Sequence, residues 1–394
     1  MQLKSNIHYV GVNDRQKYLF ENLWPLPEGV TYNSYLIDDE KVALIETVDI
    51  CYFEVFIRKI KKILGERPID YLVIDHMEPD HSGSIELIRK YYPDITLVGN
   101  KKTFGMVEGF YGETGKTLEV KEGSTLSLGE HELTFSMIPM VHWPETMVTY
   151  DKTTGTLFSG DAFGCFGALN GSPLDTDQAD LSLYMREMER YYTNIVGKYG
   201  APVQRAIKKL STLDIQMVCS THGPVWTEHF PEVLKVYDRL SKYEAGDGVV
   251  IVYGTMYGNT EGMAEIIAEE LHKQGIHNVL IDNVARKHHS FILRDIFNYR
   301  GLIVGCPTYN TQIYPQMEAL LSKIASRDIK NHIIGWFGSH SWASKAVSLI
   351  GQYNEDHLKF EPVEATADMK QGMNPDVEEQ CRALARAMAE KLKA

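Results

Sequence analysis

The sequence lacks paired cysteines, long apolar runs and a basic N-terminal leader. Its five cysteines are spread singly, without any Cys-x-x-Cys pair. This pattern argues for reduced thiols, read as small buried hydrophobes, rather than a disulfide framework or a zinc ribbon. No apolar run approaches the ~20 residues that span a bilayer, and residues 1–20 carry scattered charges instead of a signal peptide's apolar core. We therefore expect a cytoplasmic protein without a membrane partner.

The sequence is also short of positive charge, with a formal net charge of −13 at pH 7. Because nucleic-acid binding needs a basic face to neutralise phosphates, we expect no nucleic-acid partner. The remaining composition, 44% hydrophobic and 24% charged, is ordinary for a globular protein. With 394 residues the chain is long enough for two domains with separate cores.

What the sequence does contain is a dense set of potential metal ligands, four of them within six residues, directly after an apolar run at 71–74. Such a run predicts a buried strand, and a loop leaving a strand end can fold several side chains onto one point. Three further candidates follow similar apolar runs. The seven are His76, Glu78, Asp80, His81, His142, Asp161 and His222. One histidine after a strand is more often an ordinary loop residue, but loop composition alone does not supply the whole set.

The ligand types narrow the choice of metal. Imidazoles and carboxylates without cysteine suit iron, manganese or zinc, and exclude copper(I) and iron–sulfur clusters. Three carboxylates and one hydroxide bridge would balance two divalent ions, so that the site could reach the diferric state without a large charge. The sequence therefore favours a redox-active pair of metals.

The order His-x-Glu-x-Asp-His, followed by a separate His, Asp and His, resembles the metallo-β-lactamase-like fold. Glu78 stands where zinc hydrolases of that fold usually carry a histidine, and this substitution is similar to the flavodiiron proteins. The resemblance implies three ligands for each iron: His76, Glu78 and His142 for one, and Asp80, His81 and His222 for the other. It also implies that Asp161 bridges the two.

Two neighbouring features bear on this centre. A predicted helix at 181–199 carries Tyr184, Tyr191 and Tyr192, which either place a phenol near the metals or pack in the core. Glu145 follows closely after His142, where a general acid lining the pocket and a solvent-facing carboxylate are the alternatives, and the second is the prediction.

A short polar run with two glycines, residues 244–248, predicts a domain boundary, giving domains at 1–246 and 247–394. The first domain alternates short strands with helices, which predicts an αββα sandwich of the metallo-β-lactamase-like kind. The second reads as five α/β units, typical of the doubly wound parallel sheet of flavodoxin-like proteins. The predicted fold class is thus α/β in both domains.

Three loops of the second domain follow predicted strands and offer hydroxyls, glycines and aromatic rings. The first, residues 254–260, suits a single phosphate, and it lacks the endings of Walker and dinucleotide-binding loops. Together the loops resemble those that contact FMN in flavodoxins, although Tyr-Gly is the usual pair where His340 and Ser341 stand. The implied contacts are Thr255, Met256, Tyr257, Gly258, Asn259, Thr260, Pro307, Thr308, Tyr309, Asn310, Ser339, His340, Ser341 and Trp342.

The two resemblances cover nearly the whole chain and imply a soluble flavodiiron oxidoreductase with two irons and FMN. It would reduce dioxygen to water, nitric oxide to nitrous oxide, or both. The resemblance further implies a separate electron donor, either rubredoxin or, as in some archaeal relatives, reduced deazaflavin. It also implies a head-to-tail homodimer or a dimer of dimers. Two alternatives stay open: a zinc hydrolase of the same fold with an appended flavodoxin-like domain, and an electron-transfer protein with a vestigial metal site.

Overall fold

The computed structural model describes residues 1–112 and 114–394 and divides into two compact units, Met1–Asp238 and Arg239–Ala394. The domain boundary predicted between residues 246 and 247 stays a prediction. Among the described residues, no helix is long and apolar enough to cross a membrane. All five cysteines are free thiols, as predicted, and four are buried; Cys51 is exposed, so reading it as a buried hydrophobe is wrong.

The first unit is built mainly from short strands. These are β1 (Gln2–Lys4), β2 (Ile7–Tyr9), β3 (Val12–Asp14), β4 (Leu19–Phe20), β5 (Trp24–Pro25), β6 (Val30–Tyr32), β7 (Tyr35–Asp38), β8 (Val42–Ile45), β9 (Tyr71–Val73), β10 (Thr96–Gly99), β11 (Thr117–Glu119), β12 (Thr125–Ser127), β13 (Glu132–Met137), β14 (Met147–Asp151), β15 (Thr156–Gly160) and β16 (Met217–Ser220). The helices are α1 (Phe53–Leu64), α2 (Pro79–Ser82), α3 (Ile85–Tyr91), α4 (Lys101–Tyr111), α5 (Leu181–Tyr191), α6 (Gly200–Leu210) and α7 (Phe230–Ser241), the last of which contains the division between the units.

Two sheets dominate this unit. In the described part of the chain, a seven-stranded sheet has the order β1-β2-β7-β8-β9-β10-β11, and a five-stranded sheet has the order β12-β13-β14-β15-β16. Strands β8 and β9 are parallel neighbours, and so are β15 and β16. Parallel neighbours end at the same edge of a sheet. The segment after β8 therefore starts close to the segment after β9, and the segment after β15 starts close to the segment after β16. Strands β14 and β15 are buried along their full length, as expected between a second layer and covering helices.

Strands β7 and β8 form an antiparallel pair, with Asp38 opposite Val42 at the turn. Asn33 and Ser34 separate β6 from β7. The Asn33 side chain donates to the carbonyl oxygens of Ser220 and Gly223. The hydroxyl of Ser34 donates to the carbonyl oxygens of residues 45 and 46. These side-chain hydrogen bonds compete with a continuous strand ladder.

The predicted helix at 181–199 is present but not uniform. Helix α5 ends at Tyr191, a buried π-helical turn covers Tyr192–Val196, and a 3₁₀ turn covers Gly197–Tyr199. Such wide turns are rare and are frequently found at functional sites. This one directly follows Tyr191, whose hydroxyl reaches the candidate metal ligands.

The second unit has the predicted doubly wound fold. Its strands are β17 (Gly246–Tyr253), β18 (Val279–Asn283), β19 (Tyr299–Pro307), β20 (Ile333–His340) and β21 (Glu361–Lys370), and its helices are α8 (Asn259–Lys273), α9 (His289–Asn298), α10 (Pro315–Ser326), α11 (Ala346–Tyr353) and α12 (Pro375–Lys393). The sheet order is β18-β17-β19-β20-β21, with every neighbouring pair parallel. The strand order reverses at β17 and β19, and ligands of such sheets bind beyond the carboxyl ends at that point.

Candidate functional site

The metal-ligand candidates lie where strands of the first unit end. His76 and Glu78 follow β9, Asp161 directly follows β15, and His222 lies just past β16. The prediction that the whole first cluster is an irregular loop is wrong in one respect. Residues 80 and 81 belong to the single helical turn α2, which begins at Pro79 because proline suits the first helical position.

One set of side chains gathers around the Oδ2 atom of Asp161. The Nε2 atom of His142 lies 3.1 Å from this oxygen and 3.1 Å from Oε2 of Glu78. The Nε2 atom of His76 lies 3.7 Å and 3.5 Å from the same two oxygens. Two imidazoles and two carboxylates thus point at one small volume.

The other set gathers around Oδ1 of Asp161. This oxygen lies 3.2 Å from Nε2 of His81 and 3.5 Å from Nε2 of His222. The carboxylate of Asp80 lies 3.7 Å from His81 and 3.3 Å from His222. The structure therefore brings all seven candidates together, with one oxygen of Asp161 toward each set.

The donor atoms of these sets fit metal ions. Among the described residues, the Nε2 atoms of His76, His81 and His222 and both carboxylate oxygens of Asp80 are buried without a hydrogen-bond partner. Buried polar atoms left unpaired are costly, whereas a cation held by each set would satisfy them. Ligand atoms that lie within 4.8 Å of one another form two groups. One group contains His76, Glu78, His81 and Asp161, and the other contains Asp80, His81 and His222. His81 belongs to both groups. Nitrogen and oxygen donors of this kind suit iron or zinc.

The electrostatics of the cluster favour positive charge at its centre. Burial works against a charged imidazole at His142, but hydrogen bonds with Asp161 and Glu78 outweigh burial and raise the pKa of His142 to about 10. Burial would also raise the pKa of Glu78 and Asp161, yet contacts with the neighbouring histidines hold the pKa of both carboxyls below the usual range. The same field that attracts a proton attracts a metal cation.

Several residues outside the seven hold the cluster. His76 donates through Nδ1 to the buried carboxylate of Glu145 at 2.7 Å, so the prediction that Glu145 faces solvent is wrong. His222 Nδ1 lies 2.6 Å from the carbonyl oxygen of Thr31. Glu46 lies against the ligand segment and was missed as a site residue. Its signal was the one used for the others, an acidic residue directly after a buried strand, here β8.

The predicted helix carries three tyrosines, for which the alternatives are a phenol near the metals and packing in the core. The hydroxyl of Tyr191 donates to Oδ2 of Asp161 at 2.9 Å, which places a phenol beside the proposed bridge. Tyr192 packs against the ring of Tyr237, and the hydroxyl of Tyr184 donates to the carbonyl oxygen of Ala168. Burial in the core therefore accounts for Tyr184 and Tyr192, while the hydroxyl of Tyr191 contacts a candidate ligand.

The second unit carries a cavity of about 250 Å³ beyond the carboxyl ends of β17, β19 and β20. Every predicted FMN contact lines it except Gly258, and three further residues join them. The lining is Thr255, Met256, Tyr257, Asn259, Thr260, Pro307, Thr308, Tyr309, Asn310, Thr311, Ser339, His340, Ser341, Trp342, Ala343 and Gln371.

One end of this cavity suits a phosphate. Helix α8, of 15 residues, begins at Asn259, so its unpaired N–H groups and positive dipole end lie at the cavity. Gly258 precedes it with a φ of 92°, a left-handed conformation that favours glycine, and its N–H donates to the Thr255 hydroxyl. The hydroxyls of Thr260 and Ser339 hydrogen-bond at 2.9 Å and join the first loop to the third.

The cavity also suits a flat ring. Trp342 and Tyr257 are 89% and 88% exposed, and aromatic side chains of this kind provide faces for a heterocycle. The third loop, which contains His340 and Ser341, is fixed by hydrogen bonds to one carboxylate. His340 Nδ1 donates to Asp368 at 3.0 Å, and the Ser344 hydroxyl donates to the same carboxylate. A phosphate subsite with a ring platform fits FMN.

Comparison with known proteins agrees with both sites. Residues 30–223 match the ODP family of β-lactamases, and residues 251–376 match the flavodoxin family. The anaerobic nitric oxide reductase flavorubredoxin of Salmonella typhi is 30% identical over 98% of this chain and 81% of its own length. The rubredoxin oxygen:oxidoreductase of Desulfovibrio gigas superposes with a TM-score of 0.95 and 29% identity, covering 100% of this chain and 98% of that one. The flavodiiron protein of Giardia intestinalis gives a TM-score of 0.94 at 25% identity, over 100% of this chain and 96% of its own.

Fold, site and relatives together define an oxidoreductase with a diiron centre in a β-lactamase-like domain and FMN in a flavodoxin-like domain. The chain belongs to the flavodiiron protein family.

The phosphate end of the flavin cavity yields one prediction. We expect Asn259→Asp to weaken FMN binding roughly fivefold to tenfold, because a carboxylate at the start of α8 would repel the phosphate by about 1 kcal/mol or more. Flavin titration of the apoprotein measures this. Asn259→Ala is the matched control, since it removes the amide without adding charge. The difference between the two variants should shrink at high ionic strength, and a difference that salt leaves unchanged would contradict a charge effect.

Proposed function

We propose that this protein reduces dioxygen to water, nitric oxide to nitrous oxide, or both, with electrons relayed through FMN. The single observation that carries the proposal is the position of Asp161 between two sets of buried imidazole and carboxylate ligand atoms. When bound, two irons and one flavin supply four reducing equivalents, the number that one dioxygen molecule needs. A reduced protein could therefore complete that reaction without releasing partly reduced oxygen.

The ligand roles proposed here follow the two sets. His76, Glu78 and His142 hold one iron, Asp80, His81 and His222 hold the other, and Asp161 holds both. Support comes from the orientation of Asp161, whose Oδ2 atom faces the first set and whose Oδ1 atom faces the second. Further support comes from Tyr191 and Thr221, whose hydroxyls donate to opposite oxygens of that carboxylate and so fix its orientation. The lining residues of the three loops hold FMN.

The electron donor is proposed to be rubredoxin or a similar carrier that acts in the cytoplasm. Two relatives support this by name, the rubredoxin oxygen:oxidoreductase of Desulfovibrio gigas and the flavorubredoxin of Salmonella typhi. Free thiols at all five cysteines fit a reducing compartment.

The working form is proposed to be a head-to-tail homodimer in which the flavin of one chain faces the irons of the other. Exposed apolar side chains beside each site support it. At the metal centre, the hairpin of β4 and β5 packs Phe20 edge-on against His222 and exposes Tyr18 and Leu23. At the flavin cavity, Trp342 is 89% exposed. Exposed apolar groups that form one patch are typical of interaction sites.

Cofactor analysis separates this function from a zinc hydrolase of the same fold. Protein purified without oxygen should contain two irons and one FMN per chain, measured by elemental analysis and by flavin release. Two zinc ions without flavin would contradict the proposal. The same protein, reduced anaerobically, should then consume dioxygen or nitric oxide in separate assays with an electrode for each gas. Failure to consume either gas with both cofactors present would also contradict it.

A further inference from the structure

Two buried glutamates outside the seven proposed ligands each contact a ligand histidine. Glu46 and Glu145 are 3% and 1% exposed. They come from different sheets, since Glu46 follows β8 and Glu145 lies between β13 and β14. Both lie beside the segment that carries His76 and His81. They differ in how many of their carboxylate oxygens contact a hydrogen-bond partner.

Both carboxylate oxygens of Glu46 are engaged. Its Oε1 atom accepts from the backbone N–H groups of Asp75 and His76 at 2.7 Å and 2.8 Å. Its Oε2 atom lies 3.4 Å from Nδ1 of His81. The Glu46 side chain thus contacts the ligand segment twice, at the backbone of residues 75 and 76 and at the imidazole of His81.

Glu145 uses one oxygen only. Its Oε1 atom accepts from Nδ1 of His76 at 2.7 Å and from the backbone N–H of Met77 at 2.9 Å. Its Oε2 atom is buried without a hydrogen-bond partner among the described residues.

These contacts decide which nitrogen of each imidazole can bind a metal. A neutral imidazole carries one proton, so an acceptor at Nδ1 keeps the proton there and leaves the lone pair on Nε2. The Nε2 atoms of His76 and His81 are the atoms that face the proposed irons without a hydrogen-bond partner. Partners of this kind are known to fix the ring orientation and tautomer of metal-binding histidines.

We propose that Glu46 and Glu145 are positioning residues that set the tautomers of His81 and His76, and that they are not equivalent. Glu46 needs two acceptor oxygens, whereas Glu145 needs one. The inference rests on the ligand roles of the proposed function. It adds that each of the two irons depends on a different glutamate, His81 belonging to one set and His76 to the other.

The difference can be tested because glutamine keeps the shape of glutamate but offers a single acceptor oxygen. In Glu145→Gln, the amide oxygen can take the Oε1 position and serve both donors. In Glu46→Gln, whichever way the amide turns, its NH₂ group faces a donor. If it faces His81, the imidazole must move its proton to Nε2, where the lone pair should face the metal. If it faces the backbone N–H groups, the ligand segment loses its anchor.

The experiment is anaerobic titration of Fe(II) into both variants and the wild type, with iron per chain and binding affinity as readouts. We expect Glu46→Gln to weaken the iron site that includes His81 about 10–100-fold, the range for loss of such a partner. If the amide turns its NH₂ group to the backbone of His76, the other iron site weakens as well. Glu145→Gln should stay within about twofold of wild type for both sites. Equal weakening in the two variants would overturn the inference. A wild type that binds no iron would instead refute the proposed function.

FMN content and circular dichroism establish that each variant is folded. If Glu46→Gln does not fold, the tautomer can be measured directly in wild-type protein loaded with diamagnetic Zn(II). In histidine labelled with ¹⁵N, the nitrogen shifts separate protonated, unprotonated and metal-bound atoms, and a His81→Asn variant assigns the signals. A metal-bound Nε2 with a protonated Nδ1 at His81 is expected. A protonated Nε2 at His81 would overturn the inference.

Discussion

Asp161→Ala is expected to strip both irons and abolish gas reduction while leaving FMN bound. Asp161 is the residue whose two oxygens face the two ligand sets, at 3.1 Å from His142 and 3.2 Å from His81. Each iron should therefore lose a direct ligand, and the affinity for each should fall by more than the roughly 10–100-fold that loss of an outer partner costs. Iron per chain, flavin per chain and turnover are the measurements.

Asp80→Ala is the matched control for this prediction. Asp80 is also an aspartate in the cluster, and the described candidate ligands that form ion pairs with it are His81 and His222, which belong to one set. We expect this variant to lose one iron and keep the other. If Asp161→Ala also kept one iron, the proposed bridge would be refuted.

Retention of flavin in Asp161→Ala is part of the same prediction. Every residue that lines the flavin cavity lies between Thr255 and Gln371, inside the second compact unit. That unit has its own buried core, which includes Val249, Ile251 and Leu384. Loss of FMN together with iron would show that the two units do not fold independently.

The seven ligand candidates could be found from the sequence because their signal is local. A polar residue directly after a short apolar run predicts a side chain at a strand end, and His76, Asp161 and His222 all lie there. The flavin cavity was found for the same reason, since its lining comes from three segments that each follow a strand. A doubly wound sheet brings such segments together whatever the details of packing.

Glu46 carries that local signal, because it directly follows β8, but the other residues that hold the ligands do not, and their partners are distant in the sequence. Glu145 reads as an exposed residue until the fold places it against His76, which lies 69 positions earlier. His222 is held by a backbone carbonyl oxygen at Thr31, and no side-chain pattern marks that atom. The π-helical turn after Tyr191 likewise depends on packing rather than on helical periodicity. Local patterns thus identify ligands better than they identify the contacts that orient them.

The second large effect concerns assembly. If the flavin of one chain serves the irons of the other, two variants that are each inactive should restore activity when paired. One variant, His142→Ala with Asp161→Ala, lacks iron but keeps its flavin. The other carries substitutions in the loop 255–260 and lacks flavin but keeps its iron. The heterodimer, purified through a different tag on each chain, then has one intact flavin facing one intact diiron centre.

In this mixed dimer we expect about half the wild-type rate of gas reduction per dimer, because one of its two flavin–iron pairs is complete. The matched control places both defects in one chain and pairs it with a wild-type chain. A head-to-tail arrangement then leaves each intact cofactor opposite a defective one, so the control should be inactive. Electron transfer within one chain gives the opposite result, with an inactive mixed dimer and a half-active control. Cofactor analysis of both heterodimers ensures that the difference reflects which chains are paired, and the opposite result would refute the proposed assembly.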